Sequence, residues 1–346
     1  MNDRILRALK REPLDYTPVW FMRQAGRCLP RYREARADRA FFEIIMDPAA
    51  AAEITAMPLD YFNVDAAVLY NDLVTPFFGA GFQVELRKGV GPVVDRPITT
   101  PADVDALEPF DVREALHYNM AQIRLLKERL DVPILGFVGA PFTLLSYLVG
   151  GPRSRDLAEL KTFIWRHPEA WDRLADYWAR HLADFGIAQW EAGAGAVQVF
   201  DSWAGALGPD EYERHALPHT RTLLERMAAK GVPTINFFNG NPALLPLVAA
   251  AGGNAVSVDW RLPINDAWKL IGHDRAIQGN LDPTTLLAGE KVAIEHARDV
   301  LQRVGGRPGH IFNLGHGILP GTDHNVAAAV VDFVHEHSAK ILTAGR

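Results

Sequence analysis

The chain has a single cysteine, Cys28. One thiol closes no internal disulfide and builds no cysteine cluster for a metal, and it suits a reducing, cytoplasmic setting. Positive charge is not in excess. Lys and Arg number 36 against 42 Asp and Glu, a formal net charge of -6. No basic stripe stands out, so no nucleic-acid partner is expected. No stretch approaches the ~18 uncharged apolar residues of a membrane span, and residues 1–10 lack the apolar core of a secretory signal. No GxGxxG and no GxxxxGKS/T follows any strand-like run, which weighs against a doubly wound nucleotide-binding fold. HExxH and GxSxG are missing as well, so neither a zincin site nor a hydrolase elbow is written in the chain. His335 and His337, two apart on a helix, do not face each other. No metal and no cofactor is expected.

What is present is a regular alternation. Short apolar runs at 17–22, 65–70, 133–138, 196–200, 234–238, 255–258, 276–278 and 310–314 read as buried strands. Helical stretches separate them, among them 47–62, 111–130, 169–192, 210–230, 284–304 and 325–342. Pro58 is placed to kink the first of these. Phe82–Leu86 and Val90–Val94 flank Lys88-Gly89 and read as a hairpin. Gly150-Gly151-Pro152 reads as a helix break. Eight strands alternating with helices define an α/β chain of the (β/α)8 TIM-barrel class, with an extra hairpin excursion after strand two. No Pro-, Gly- or Ser-rich linker cuts the chain, so residues 1–346 are expected to form one catalytic domain.

In such a barrel the chemistry sits past the C-terminal ends of the strands. The polar residues found there are Arg23 and Arg27, Asp72, Tyr147 (with Pro141), Ser202, Asn239 and Asn241, Asp259, Gln278 and Asn280, and His316. Two arginines at one strand mouth suit a carboxylate or phosphate ligand held by paired hydrogen bonds. The plainer alternative is that both are solvated, or paired with Glu34 or Asp38. Asp72 and Ser202 have plain readings as turn caps, and Tyr147 as a core tyrosine. Phe200, Trp203 and Trp260 are either packing residues or walls of an aromatic pocket. Together, two arginines and a carboxylate at neighbouring strand ends imply a polar site for a multiply charged ligand.

Four segments carry a family resemblance: Pro18-Val19-Trp20-Phe21-Met22-Arg23-Gln24-Ala25-Gly26-Arg27, Gly136–Leu144, Gln198–Gly205 and Asn313–Ile318. In this order the chain resembles the uroporphyrinogen decarboxylase family over essentially its whole length. The resemblance implies a cytoplasmic, cofactor-free barrel enzyme that acts as a homodimer. It implies a tetrapyrrole substrate, uroporphyrinogen III, whose four acetate arms become methyls to give coproporphyrinogen III. Matching the motifs puts substrate contacts at Arg23, Arg27, Asp72, Tyr147, Ser202 and His316. Asp72 would face the pyrrole N–H groups and stabilise a cationic intermediate, its ionised form favoured by nearby positive charge. The arginines would clamp carboxylates, one of them also serving to move a proton, and His316 would bind as imidazolium. Cys28 stands where the family commonly has tyrosine, and if exposed beside Arg27 it would make the site sensitive to thiol reagents. Two other readings are a corrinoid-related methyltransferase of the same barrel superfamily, which would need a His/Cys zinc site, and a tetrapyrrole-binding protein without catalysis.

Overall fold

The computed structural model describes residues 2–87, 89–150 and 156–344. Lys88 of the expected hairpin turn and Gly151-Pro152 of the expected helix break lie outside the described residues.

Among the described residues, seven of nine strands form one parallel sheet. In chain order the strands are β1 (Ala67–Val68), β2 (Val84–Arg87), β3 (Gly91–Val94), β4 (Ile134–Gly139), β5 (Ala196–Asp201), β6 (Thr234–Phe238), β7 (Ala255–Ser257), β8 (Ala276–Gln278) and β9 (His310–Ile311). The sheet runs β1-β4-β5-β6-β7-β8-β9, and β2 and β3 pair antiparallel as a separate hairpin after β1. The remaining stave is the segment around Val19. Val19 bridges Phe312 in parallel, and its carbonyl accepts from the Asp65 N–H at 2.7 Å. It therefore lies between β9 and β1 and closes the curled sheet, as the alternation of strands and helices predicts for a (β/α)8 barrel.

The first expected strand, 17–22, is reduced to one bridge for a visible reason. Past Val19, side chains take over the ladder. The Phe21 N–H donates to Gln24 Oε1 at 3.0 Å, the Gln24 amide donates to the Ala66 carbonyl at 2.9 Å, and the Met22 N–H turns to Asn313 Oδ1. These bonds let the chain leave the sheet early and enter the arginine loop with its backbone groups satisfied.

Two cores flank the sheet. Inside the barrel, Trp20, Leu135, Ala196, Ile235, Ala255, Ala276 and Ile311 pack together, and Ile5, Ala8 and Leu9 of the helix Arg4–Leu9 plug the end nearest the strand starts. Outside, the helices cover the other strand face, led by Pro168–Ala192 with Trp171, Leu174, Trp178 and Leu182 fully buried. Several expected helices are broken where the chemistry requires it. Residues 210–230 form two helices hinged at Ala216, because Pro218 lacks an N–H and its ring opposes a continuous helix there. Pro58 tightens the end of 47–62 into a 3₁₀ turn. Residues 111–130 divide at Leu116, and 284–304 divides before Gly289, whose φ is +99°.

Above the aliphatic layer the barrel interior is polar. Trp20 Nε1 donates to Gln278 Oε1 at 2.9 Å, and the Gln278 amide reaches Gln198 Oε1 and Ser257 Oγ at 2.9 and 2.8 Å. Gln278 is thus a tie between four staves and is fully buried. Over it, Phe137, Phe200 and Phe237 form a ladder of edge contacts across β4, β5 and β6, with centroids 5.5 and 5.3 Å apart. Phe200 is half-buried, so this ladder forms an aromatic floor beneath the strand ends.

Candidate active site

The arginine loop begins where the bonds above release it from the sheet. Arg23 adopts φ +61°, the left-handed region, which is uncommon for a residue with a side chain. Gly26 makes the turn possible, since a Cβ there would lie 2.8 Å from the Arg23 carbonyl oxygen. The guanidinium arm then lies across Gly317, where a Cβ would sit 2.5 Å from Arg23 Cδ. Both glycines are required by the path of one arginine. Arg23 and Arg27 are exposed, and among the described residues neither guanidinium makes an ion pair. Pairing with Glu34 or Asp38 is not what the structure contains, so both cations are available to a ligand.

Asp72 follows β1 on the neighbouring stave. It is half-buried, and its Oδ1 accepts from the Val74 N–H at 3.1 Å. Burial raises its pKa above the ordinary carboxylate range, while the Val74 N–H, the Arg23 charge and the Leu73 N–H pull it back. Of these influences burial is the largest, and the Arg23 charge opposes it.

His316 follows β9 on the other side of Arg23. Its Nδ1 accepts from the Gly317 N–H at 2.8 Å, which leaves Nε2 as the protonated nitrogen. Burial, then the charges of Arg23 and Arg261, push its pKa down to about 4. The imidazolium expected from sequence is thus replaced by a neutral ring that offers one N–H donor, its centroid 6.4 Å from that of Phe237 in an edge-on contact.

Tyr147 and Ser202 come from adjacent loops that are tied together. Thr143 Oγ1 donates to the buried Asp201 Oδ1 at 2.6 Å and accepts from the Trp203 N–H at 3.0 Å. Trp203 Nε1 in turn donates to the Tyr147 hydroxyl at 2.9 Å. Burial raises the Asp201 carboxyl to about 7, against the pull of its Thr143 hydrogen bonds. This chain of bonds sets the turn that carries half-buried Ser202 and fixes the tyrosine beside it. Thr143→Val, close in shape but without the hydroxyl, should lower kcat/KM about tenfold, as expected for a buried polar contact of ~1–3 kcal/mol. Thr143→Ser should stay near wild type. Steady-state kinetics and tryptophan fluorescence of the two variants check this, and equal behaviour would contradict it.

The remaining strand-end polar residues are engaged in the wall. The Asn280 amide donates to the carbonyls of Asp259 and Leu262, both at 2.8 Å, and Asn241 caps the turn at Ala243. Asn239 Oδ1 accepts from Arg261 at 2.8 Å. Arg261 itself escaped the sequence reading, although it stands two residues past Asp259 at a strand end, a position that marks it. Thr143 and Asp201 escaped it too, because only the fold shows which loops touch.

Cys28 does not line this site. It is 6% exposed, and burial pushes its thiol up to about 11. The expected thiol sensitivity is withdrawn. Iodoacetamide at neutral pH should leave the native protein unlabelled and its activity intact, whereas urea-unfolded protein should take one label; mass spectrometry reads both, and stoichiometric labelling of the native chain would contradict the assignment. Among the described residues no group of three or more His, Cys, Asp or Glu side chains converges as a metal site would require, and no helix is long and apolar enough to cross a membrane.

A parallel α/β barrel in which Arg23, free of any ion pair among the described residues, neighbours Asp72 and His316 beside an aromatic floor offers an enzyme cleft suited to an anionic ligand. Comparison with known proteins narrows this. A family model described as uroporphyrinogen decarboxylase matches residues 1–337. A protein named uroporphyrinogen decarboxylase from Sorangium cellulosum is 47% identical over 337 residues, 97% of this chain and 96% of that one. One of the same name from Streptomyces coelicolor is 43% identical over 339 residues, 98% of this chain and 96% of that one. The chain belongs to the uroporphyrinogen decarboxylase family. Among solved structures, a methyltransferase from Methanosarcina mazei superposes with a TM-score of 0.83 at 22% identity, covering 97% of this chain and 98% of that one. That likeness concerns the fold alone.

Proposed function

We propose that this chain is a carboxy-lyase that removes CO2 from the four acetate arms of uroporphyrinogen III and yields coproporphyrinogen III. The observation that carries the reading is Arg23, free of any ion pair among the described residues, between desolvated Asp72 and neutral His316. An acetate on a pyrrole loses CO2 only if the electrons of the broken C–C bond have a destination. Protonation of the ring carbon beside the arm supplies one. The bond then breaks into the cationic ring, CO2 leaves, a proton added to the exocyclic carbon completes the methyl, and the ring carbon gives back the proton it took up. Each arm thus takes up one proton and loses one CO2, and the ring regains its starting electron count.

The residue roles follow from charge. Asp72 faces the four pyrrole N–H groups, which favour its ionised form once they replace water, and it stabilises the positive ring at the moment charge develops. Arg23 and Arg27 clamp peripheral carboxylates. Either arginine is a weak proton donor in principle, since guanidinium holds its proton beyond pH 12, so binding is their main role and proton delivery through one of them a secondary one. His316 donates Nε2–H to a carboxylate. Tyr147 and Ser202 orient the arms, and the phenylalanine floor carries the ring. Residues 1–346 act as one catalytic domain, in the cytoplasm and as a homodimer.

Anaerobic turnover in D2O tests the reaction. One deuteron in each new methyl and the mass loss of four CO2 are expected; a ring that keeps all its carboxyls would overturn the reading. A methyltransferase reading has no support from Cys28, whose buried, high-pKa thiol is unsuited to complete a zinc site.

A further inference from the structure

A third arginine stands at the mouth of the cleft. The turn Asp259-Trp260-Arg261 after β7 is packed directly on the loop that carries His316. A Cβ at Gly315 would lie 2.7 Å from the Trp260 backbone nitrogen and 2.8 Å from Asp259 Cα. The turn is rigidly built. Asp259 is 6% exposed, its Oδ2 accepts from the Gly240 N–H at 2.8 Å, and its Oδ1 accepts from the Arg261 N–H at 2.9 Å. The Arg261 side chain is held by the same carboxylate. Its Nη1 pairs with Asp259 Oδ2 and also donates to Asn239 Oδ1. The guanidinium carbon lies 4.8 Å over the Trp260 ring.

This arrangement fixes the guanidinium without exhausting it. All its hydrogen bonds to described residues run through Nη1, while Nη2 and Nε have no partner among them. The side chain remains 46% exposed. Its charge reaches His316, as does that of Arg23. A guanidinium held in place by a buried carboxylate loses little freedom on meeting a ligand, and its open edge matches a carboxylate in the plane.

We propose that Arg261 is a substrate-binding residue, holding a peripheral carboxylate of the tetrapyrrole through Nη2 and Nε beside the loop that carries His316. The assignment rests on the decarboxylase reading for the identity of the ligand. The plain alternative is that Arg261 only neutralises buried Asp259.

Two variants separate these. Arg261→Gln removes the charge but leaves Asp259 without its cation. Asp259→Asn/Arg261→Gln removes both charges and keeps one acceptor oxygen for the two backbone N–H groups that Asp259 serves. The readouts are steady-state kinetics on reduced uroporphyrinogen and, independently of turnover, the Kd of uroporphyrin, the stable oxidised ring with the same carboxylates, by fluorescence quenching. A lost charge-assisted contact should raise KM and Kd about tenfold in both variants, with kcat within about threefold of wild type. Recovery of wild-type KM and Kd in the double variant would overturn the proposal and leave Arg261 a counter-charge. So would a single variant indistinguishable from wild type. If the wild-type chain releases no CO2, the decarboxylase reading fails, and the porphyrin Kd still decides the carboxylate contact at Arg261.

Discussion

Asp72→Asn lowers kcat about 10²- to 10³-fold, the scale set by losing one preorganised group aimed at developing charge, while KM changes by only a few fold. Asparagine keeps an oxygen for the Val74 N–H, so the turn after β1 survives the change. What disappears is the negative charge opposite a ring that becomes positive. On the proposed roles, ground-state binding rests mainly on the arginine clamps, and those are untouched. The pH profile adds a second sign. Burial raises the Asp72 carboxyl above its ordinary range. Turnover needs the ionised form, so kcat/KM should rise with pH as Asp72 loses its proton, and that acid limb should vanish from the residual activity of the asparagine variant. Stopped-time anaerobic assays across pH measure both. A variant with wild-type kcat would remove Asp72 from the chemistry.

The second large effect concerns stability and arises away from the cleft. Asp65 is 1% exposed and serves four donors: Asn2 Nδ2 at 2.6 Å, Tyr16 OH at 3.1 Å, the Val19 N–H at 2.7 Å and His335 Nε2 at 2.8 Å. His335 belongs to the helix His324–Ala344, and Ser338 on the same helix accepts from the Thr17 N–H at 2.8 Å. One carboxyl group thus joins the last helix, the first stave and the start of β1 at the seam where the barrel closes. Asp65→Ala strands these donors in a buried setting, and breaking one side of such a pair typically costs about 3–5 kcal/mol. Tyr16→Phe, which removes one donor of the four, should cost about 1 kcal/mol. Urea midpoints followed by circular dichroism measure the difference, and an Asp65→Ala midpoint within error of wild type would contradict the seam account.

The two residues also show what a sequence makes legible. Asp72 lies directly after an apolar run, so strand periodicity alone places it at a strand mouth. The same logic placed Arg23, Ser202 and His316 correctly, because a barrel puts every strand end on one face. The logic fails where a role depends on a neighbour distant in the chain. Gln278 and Asn280 sit at a strand end too, yet their amides are engaged by Gln198, Ser257 and two wall carbonyls. Asp65 gives no hint in sequence of a partner 270 residues away. Cys28, beside an exposed arginine in the chain, turns into the core. His316 was readable as a strand-end residue but not in its charge state, which burial and two arginines decide. Arg23 was readable as a candidate anion hook, whereas its left-handed backbone and its bed on Gly317 were not.

The central claim is that this cleft removes CO2 from a tetrapyrrole with the chain's own residues. The direct measurement is anaerobic incubation of the full-length, chelator-dialysed protein with reduced uroporphyrinogen III, with products separated by carboxyl count. The account predicts a series of rings losing one carboxyl at a time until the four acetates are gone, with matching CO2, and no need for added metal or cofactor. A bound substrate that releases no CO2 under those conditions would contradict it.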